Sequence, residues 1–299
     1  MKAEEKAPYF SVIIPVYQDT ERLKLCLEAL GKNDKEGFEF EVLVINNDPL
    51  VKELDLDPSS YSFSLKSLLE PNPGSYAARN KGIQNAQGKV LAFTDSDCVP
   101  SFDWLQVAYE FFQKDEKKVV GVLTGPVLLF FKDINNLSPA ELYEKYTGGF
   151  TTEAYAKEGK AITANWFSYK SVIQEFGGFN SELKSNGDSE LSGRISSKYK
   201  IEYCPNLVIN HPARYQPSDL VKKYQRLLGG AYTRRFQGNS KAFGKYLIQF
   251  LWARYRFALK RLFTLSPKES IPILQVCHAI NRGAIQEYYN LIKGGETKR

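Results

Sequence analysis

Along the first hundred residues, short apolar runs alternate with longer amphipathic stretches. Phe10 to Tyr17 (F-S-V-I-I-P-V-Y) reads as a strand, and Pro15 is tolerated near its end because it has no N–H to give to a ladder. Residues 21–30 place Leu23, Leu27 and Leu30 on one helical face, with Asp19 or Thr20 at the start and Gly31 as the stop. Phe40 to Ile45 is a second apolar run, ending in the polar cluster Asn46-Asn47-Asp48-Pro49. A loop or short helix over 51–60 leads to a third strand, 63–69. Gly74 and Ser75 suit a tight turn into a helix reaching about residue 86, and Val90 to Thr94 is again a short buried strand. This alternation predicts an α/β domain built on a parallel, Rossmann-like sheet.

Beyond residue 100 the pattern predicts a helix over 102–113, a strand over 118–129 and a short helix over 141–146. A glycine-bearing mobile segment spans 147–160, and a strand follows over 161–169. Gly177-Gly178 marks a turn that leaves Phe179 as a core plug. A helix then starts at Asn186 or Asp188 and ends near Tyr199. Residues 201–204 form a last short strand, and His211 falls in a loop after the apolar run 207–209. After Pro217 the character changes: a helix over 219–232, an aromatic and basic stretch over 245–263, breaks at Pro267 and Pro272, and a final helix over 273–292. The expected organisation is one domain over 1–216 and a helical extension over 217–299.

Charge sharpens that division. The net charge is +6, yet the segment from Leu220 to Lys268 holds twelve Lys or Arg and no acid, so the rest of the chain has 28 basic against 34 acidic residues. An acidic domain thus carries a basic appendage. Cys26, Cys98, Cys204 and Cys277 show no CxxC spacing and read as free thiols in a reducing compartment. The N-terminus lacks an apolar signal core, and no run of 18 uncharged apolar residues exists, so the expected location is cytoplasmic.

Candidate chemistry gathers at predicted strand ends. The strand Val90 to Thr94 delivers Asp95 and Asp97 (T-D-S-D-C) at its carboxyl end, where open α/β sheets bind ligands. Two carboxylates so close repel each other unless a cation sits among them, and a hard divalent ion such as Mn2+ or Mg2+ carrying a diphosphate suits the pair. The start of the 75–86 helix can face a phosphate, with Arg79 and Lys81 adding positive charge. Trp166 is a candidate stacking platform for a sugar, against its reading as a core residue. Asp188 and Glu190 fall in a first helical turn, which suits either capping or a general base. His211 is a candidate metal ligand. No G-x-G-x-x-G follows the first strand and no P-loop is present, which disfavours dinucleotide oxidoreduction and P-loop phosphoryl transfer.

Several segments occur together in order: S-V-I-I-P-V-Y, E-V-L-V-I-N-N-D, G-S-Y-A-A-R-N-K-G through to L-A-F-T-D-S-D, G-G-F-N-S-E-L, G-D-S-E-L-S-G-R-I and N-H-P. In this order they resemble the inverting family-2 glycosyltransferases of the GT-A fold, over roughly residues 9–215. The resemblance implies that Pro15 and Tyr17 line the nucleotide base and that Asn46 and Asp48 contact base or ribose. Arg79, Asp95 and Ser96 would lie at the nucleotide, and Asp97 and His211 at a divalent metal. Asp188 would be the catalytic base; apart from the resemblance, Trp166 and Glu190 are the candidates for contact with the sugar or acceptor. The family often has Asp where Asn46 stands, which leaves the nucleotide open, and often Glu where Gly187 stands. The implied partners are a nucleotide-diphosphate sugar and a glycan or lipid-linked acceptor, and the mobile 147–160 segment would close over the donor. Competing readings are a sugar nucleotidyltransferase, whose Gly-rich basic loop after strand one is absent here, and a non-catalytic nucleotide-sugar-binding protein.

The stretch 245–263 is apolar, aromatic and basic, with five basic residues and no acid. Such helices lie on anionic membrane surfaces, which makes peripheral membrane attachment an expectation beside packing on the protein; nucleic acid is not an expected partner.

Overall fold

The computed structural model describes residues 7–298 and divides them into two compact units. The first holds residues up to 128, 150–182 and 187–211. Its core is a seven-stranded sheet in the order β3-β2-β1-β4-β8-β6-β9. These strands are β1 (Phe10–Val16), β2 (Phe40–Asn46), β3 (Ser64–Leu69), β4 (Val90–Phe93), β6 (Val120–Thr124), β8 (Trp166–Tyr169) and β9 (Lys200–Tyr203). Strands β1 to β4 are mutually parallel, as the alternation predicts, but β8 runs antiparallel between β4 and β6. The sheet is therefore mixed. All seven β2 positions are buried, and in β1 only Pro15 is partly open, as expected of strands covered on both faces. Glu41 is buried in that apolar layer. Ser11 Oγ, Lys66 Nζ and the Gln87 N–H donate to its carboxylate. Burial alone would raise its pKa; these donors outweigh burial and hold it below the usual value.

Helices α1 (Thr20–Gly31), α2 (Ser75–Asn85) and α3 (Trp104–Lys114) follow β1, β3 and β5 (Val99–Pro100). The predicted strand over 118–129 breaks at Gly125-Pro126 into β6 and β7 (Val127–Phe130). The predicted strand over 161–169 is regular only from Trp166. The glycine-bearing segment orders into a short helix, α5 (Thr152–Lys157), and α6 (Lys170–Glu175) and α7 (Gly187–Ile195) follow. His211 is not in a loop. It lies in β10 (Ile209–Pro212), whose residues Ile209 and Asn210 pair antiparallel with Pro100 and Val99 of β5. A second sheet, β5-β10-β7, results. All four cysteines are free thiols.

The second unit comprises residues 129–149, 183–186 and 212–299. Its helices are α4 (Pro139–Thr147), α8 (Pro217–Ala231), α9 (Ser240–Thr264) and α10 (Pro267–Ile292). Ala140, Tyr143, Leu220, Ala258, Ile273, Val276 and Ile280 meet in its core. The expected break at Pro272 does not occur: Pro267 opens α10 and Pro272 lies within it, near the amino-terminal end. Pro267 stands where a missing N–H costs least, whereas Pro272, the sixth residue, forgoes one hydrogen bond within the helix. Among the described residues no helix is long and apolar enough to cross a membrane.

Candidate active site

The site forms where β4 ends. A turn after Thr94, with the Cys98 N–H bonded to the Asp95 carbonyl, sets ligand atoms of Asp95, Asp97 and Cys98 within 4.8 Å of one another. The antiparallel pairing of β5 with β10 then carries His211 to the same place, its Nε2 3.6 Å from Asp97 Oδ2. Two segments far apart in sequence meet because the residues next to each acid and imidazole are laddered together. The ring of Phe150 lies 5.0 Å from that of His211. Arg22, from the first turn of α1, reaches Asp97 at 3.4 Å and Asp19 at 2.8 Å. Asp19 does not cap α1 with its side chain; it holds Arg22 and accepts a long contact from Ser96 Oγ, at 3.5 Å.

Burial pushes the Asp97 carboxyl above its ordinary pKa; His211 pulls it down and neighbouring Asp95 pushes it further up. Two carboxylates and an imidazole make a donor set suited to Mn2+, and the oxygens alone suit Mg2+. Cys98 is an unsuitable fourth donor for a hard cation. It is buried, and burial and then Asp95 raise its pKa well above that of a free thiol, so it stays protonated.

Helix α2 links this acidic turn to the candidate base. Gly74, at φ 122°, turns the chain into the helix while its N–H donates to Asn47 Oδ1. Asn47 Nδ2 also donates to the carbonyls of Glu70 and Asn72. From α2, buried Arg79 grips the Asp95 carboxylate. One turn earlier, the Tyr76 hydroxyl accepts the Gly187 N–H at 2.9 Å, immediately before Asp188. Asn80 closes a third link, exchanging hydrogen bonds with the backbone of Phe179. Phe179 is the core plug that the sequence predicts, stacked near Tyr76 and edge-on to Phe93.

Asp188 lies in the first turn of α7, and its Oδ1 accepts the Ser189 N–H at 2.8 Å. Burial raises its pKa; that hydrogen bond and the Arg79 charge oppose the rise. Asn186, at φ 58°, is the left-handed residue before the helix. Gly187 explains its own identity: a Cβ there would stand 2.7 Å from the Tyr76 ring. Tyr76 occupies the space that a side chain at 187 would need, and burial followed by the Asp188 carboxylate pushes its phenol up to about 12. Gly187→Ala is expected to force Tyr76 aside and shift Asp188. The turnover should fall at least about tenfold at little cost in donor affinity, an outcome read by steady-state kinetics beside donor titration.

The other candidates divide. Tyr17 is 59% exposed at the end of β1, open to a ligand. Pro15 stands beside Ile45 in the ladder and is partly exposed. Asn46 and Asp48 are buried and engaged locally: Asn46 accepts the Asp48 N–H, and Asp48 accepts from Leu50 N–H and Gln18 Nε2. Trp166 is a correction. It is fully buried in β8, its indole N–H donates to Ser168 Oγ, and Phe93 and Phe179 pack on it, so no face is left for a sugar. Strand position decides that, since side chains of an internal strand point into covered layers. Glu190 is committed to Arg194 at 2.7 and 3.0 Å, and Arg194 also donates to the carbonyls of Phe176 and Gly178. Its carboxylate thus braces the Gly177-Gly178 turn. The sequence pattern singles out neither Arg22 nor Tyr76 and offers Asp19 only as a helix start. Arg22 stands three residues after Asp19, a helical spacing that marks the ion pair but not its reach to Asp97.

The sequence model of glycosyl transferase family 2 matches residues 11–175. The chain is 32% identical over 263 residues to the glycosyltransferase AglE of Haloferax volcanii, covering 87% of this chain and 79% of that protein. It is 23% identical over 226 residues to a dolichyl N-acetyl-alpha-D-glucosaminyl phosphate 3-beta-D-2,3-diacetamido-2,3-dideoxy-beta-D-glucuronosyltransferase of Methanococcus voltae, covering 72% of this chain and 70% of that one. Among solved structures, it is similar to the mannosyltransferase PcManGT of Pyrobaculum calidifontis in complex with GDP-Man and Mn2+. The TM-score is 0.60 and the identity 16%, over 96% of this chain and 88% of that one. Residues 1–349 of S. aureus TarS in complex with UDP align at TM-score 0.53 and 17% identity, over 95% and 91% of the two chains. At these identities the structural likeness is one of fold.

Proposed function

The chain belongs to glycosyl transferase family 2, and on that premise we propose that it moves a sugar from a nucleotide-diphosphate donor to an acceptor hydroxyl with inversion at the anomeric carbon. The observation that carries this reading is the double attachment of α2: Arg79 holds Asp95 in the acidic turn, while Tyr76 holds the backbone next to Asp188. In this reading one helix spaces the cation and diphosphate site from a half-buried carboxylate.

In this reading Asp188 accepts the proton of the acceptor hydroxyl as that oxygen bonds to the anomeric carbon. The bond from that carbon to the diphosphate breaks, and the nucleoside diphosphate departs with the electron pair. A single displacement inverts the configuration. Asp95, Asp97 and His211 would hold a divalent cation, which when bound supplies charge neutralisation for the departing diphosphate. Arg79 keeps Asp95 oriented, Arg22 balances charge at Asp97, and exposed Tyr17 offers a face to the base. The 147–160 segment closes over the donor and excludes water in this reading, which the position of Phe150 beside His211 supports. The acceptor is a glycan or a lipid-linked saccharide, met on the cytoplasmic side of a membrane. The lipid-linked class accords with the name of the Methanococcus voltae relative, and the metal with the Mn2+ complex of the mannosyltransferase.

A panel of nucleotide-diphosphate sugars scored by thermal shift, with and without Mn2+, tests the reading. One donor should raise the melting temperature only with the metal, because a ligand that binds the native state alone stabilises it by mass action. A panel in which no donor shifts the transition, with or without acceptor, counts against it.

A further inference from the structure

Helices α9 and α10 run antiparallel and side by side. Tyr255 Oη meets His278 Nδ1 at 2.9 Å, and Asn281 Nδ2 donates to the Leu251 carbonyl one turn further along each helix. Their inner faces fill the core of the second unit with Phe243, Leu247, Ala258, Ile273, Ile280 and Ala284. Their outer faces are apolar as well. On α9, Ile248, Trp252, Leu259 and Phe263 recur at helical spacing and are exposed by 67%, 63%, 48% and 88%. On α10, Ile271, Ile285, Tyr289 and Ile292 are likewise exposed. Covered inner faces account for the helices' place in the fold; they leave the outer stripe unexplained.

Charge identifies what covers it. Lys241, Lys245, Arg256 and Lys260 are exposed on α9, and Lys268 and Arg282 on α10, with Lys293 just past its end. Helix α9 contains no acid, and α10 contains two, Glu269 and Glu287. Glu287 is buried, and Glu269 accepts from Tyr146 Oη and Ser266 Oγ. Apart from hydrogen-bonded Glu269, every exposed charge on the two helices is therefore positive. A second copy of this face would set like charges against each other, and a nucleic acid would leave the isoleucines and Phe263 uncovered. A bilayer offers both matching parts: anionic phosphates for the basic rim, and an acyl boundary for aromatic and aliphatic side chains.

We propose that the outer face of α9 and α10 docks on an anionic lipid surface, lying in its plane. Trp252, Phe263 and Tyr289 sit at headgroup depth, and Arg256, Lys260 and Arg282 lie against phosphates. The proposal goes beyond the transferase reading and does not depend on it, because binding is read without donor or acceptor.

Flotation of the full chain with vesicles tests it, comparing pure phosphatidylcholine with phosphatidylcholine containing about one third phosphatidylglycerol. The protein should float with the anionic vesicles and be released by high salt. Arg256→Gln with Lys260→Gln should weaken partition by about thirtyfold, from roughly a factor of five per basic residue. Trp252→Ser with Phe263→Ser should weaken it with the charge intact. Both pairs are exposed, so unchanged thermal unfolding verifies the fold. Equal flotation with neutral vesicles, or none with anionic ones, overturns the proposal. So does a stable dimer in sedimentation that the Trp252→Ser and Phe263→Ser variant disperses.

Discussion

Asp188→Asn is expected to abolish most transfer while leaving donor binding and folding in place. Loss of a general base costs about 10²–10⁴-fold in rate, and the amide keeps the Oδ1 that accepts the Ser189 N–H. The two forms should differ in stability in a direction fixed by the pKa. Burial raises the Asp188 pKa, so the unfolded chain gives up this proton at lower pH than the folded one. The ionised carboxylate then costs stability, fully so above the folded pKa, and the cost fades as pH falls toward the unfolded value near 3.9. The neutral amide escapes it. Asp188→Asn should melt at or above the temperature of the parent at neutral pH, with turnover lost. The parent's turnover should also fall on the acid side, at a pH above the ordinary aspartate value, because only the ionised form takes a proton. A variant that melts early, or keeps its rate, would remove Asp188 from the reaction.

The second large effect concerns Asp97. With Asp95 two residues away and burial raising its pKa, Asp97 is a carboxylate whose charge a bound divalent cation would relieve. Asp97→Asn should weaken Mn2+ binding at least about a hundredfold, since a carboxylate ligand becomes a weaker neutral one. Chelation should arrest turnover, and Mn2+ or Mg2+ should restore it. His211→Ala separates the two ions: loss of an imidazole should harm Mn2+ binding more than Mg2+ binding. Manganese titration followed by electron paramagnetic resonance reads the affinity directly, apart from activity. Unaltered Mn2+ affinity in Asp97→Asn would show that the carboxylate is no ligand.

The parallel half of the sheet was legible because strands covered on both faces are mostly apolar. The runs ending at Tyr17, Asn46 and Thr94 announce themselves that way, and the polar residues just past them announce the ligand edge. The D-S-D turn was legible for the same reason. Trp166 misled: in sequence it is an aromatic residue near a turn, and only the β4-β8-β6 pairing shows that both its sides are covered. His211 was recognisable as a candidate ligand, but its place in a strand was not, since β5 and β10 are too short to carry a period. Asn46 and Asp48 show the limit of composition: polar residues at a strand end face a ligand or secure their own loop, and here both secure it.

By itself the sequence determined the order of elements, the acidic turn, the candidate base and the sign of charge on the C-terminal helices. These follow from local period and from residue chemistry, which act over a few positions. The tertiary structure alone decided which distant groups meet. It joined Asp97 to His211 through a two-strand ladder, tied both Asp95 and Gly187 to α2, and filled the room beside Gly187 with Tyr76. It also turned the outer stripes of α9 and α10 away from the core. Such contacts form between residues far apart along the chain. They depend on packing in three dimensions, and no local pattern encodes them.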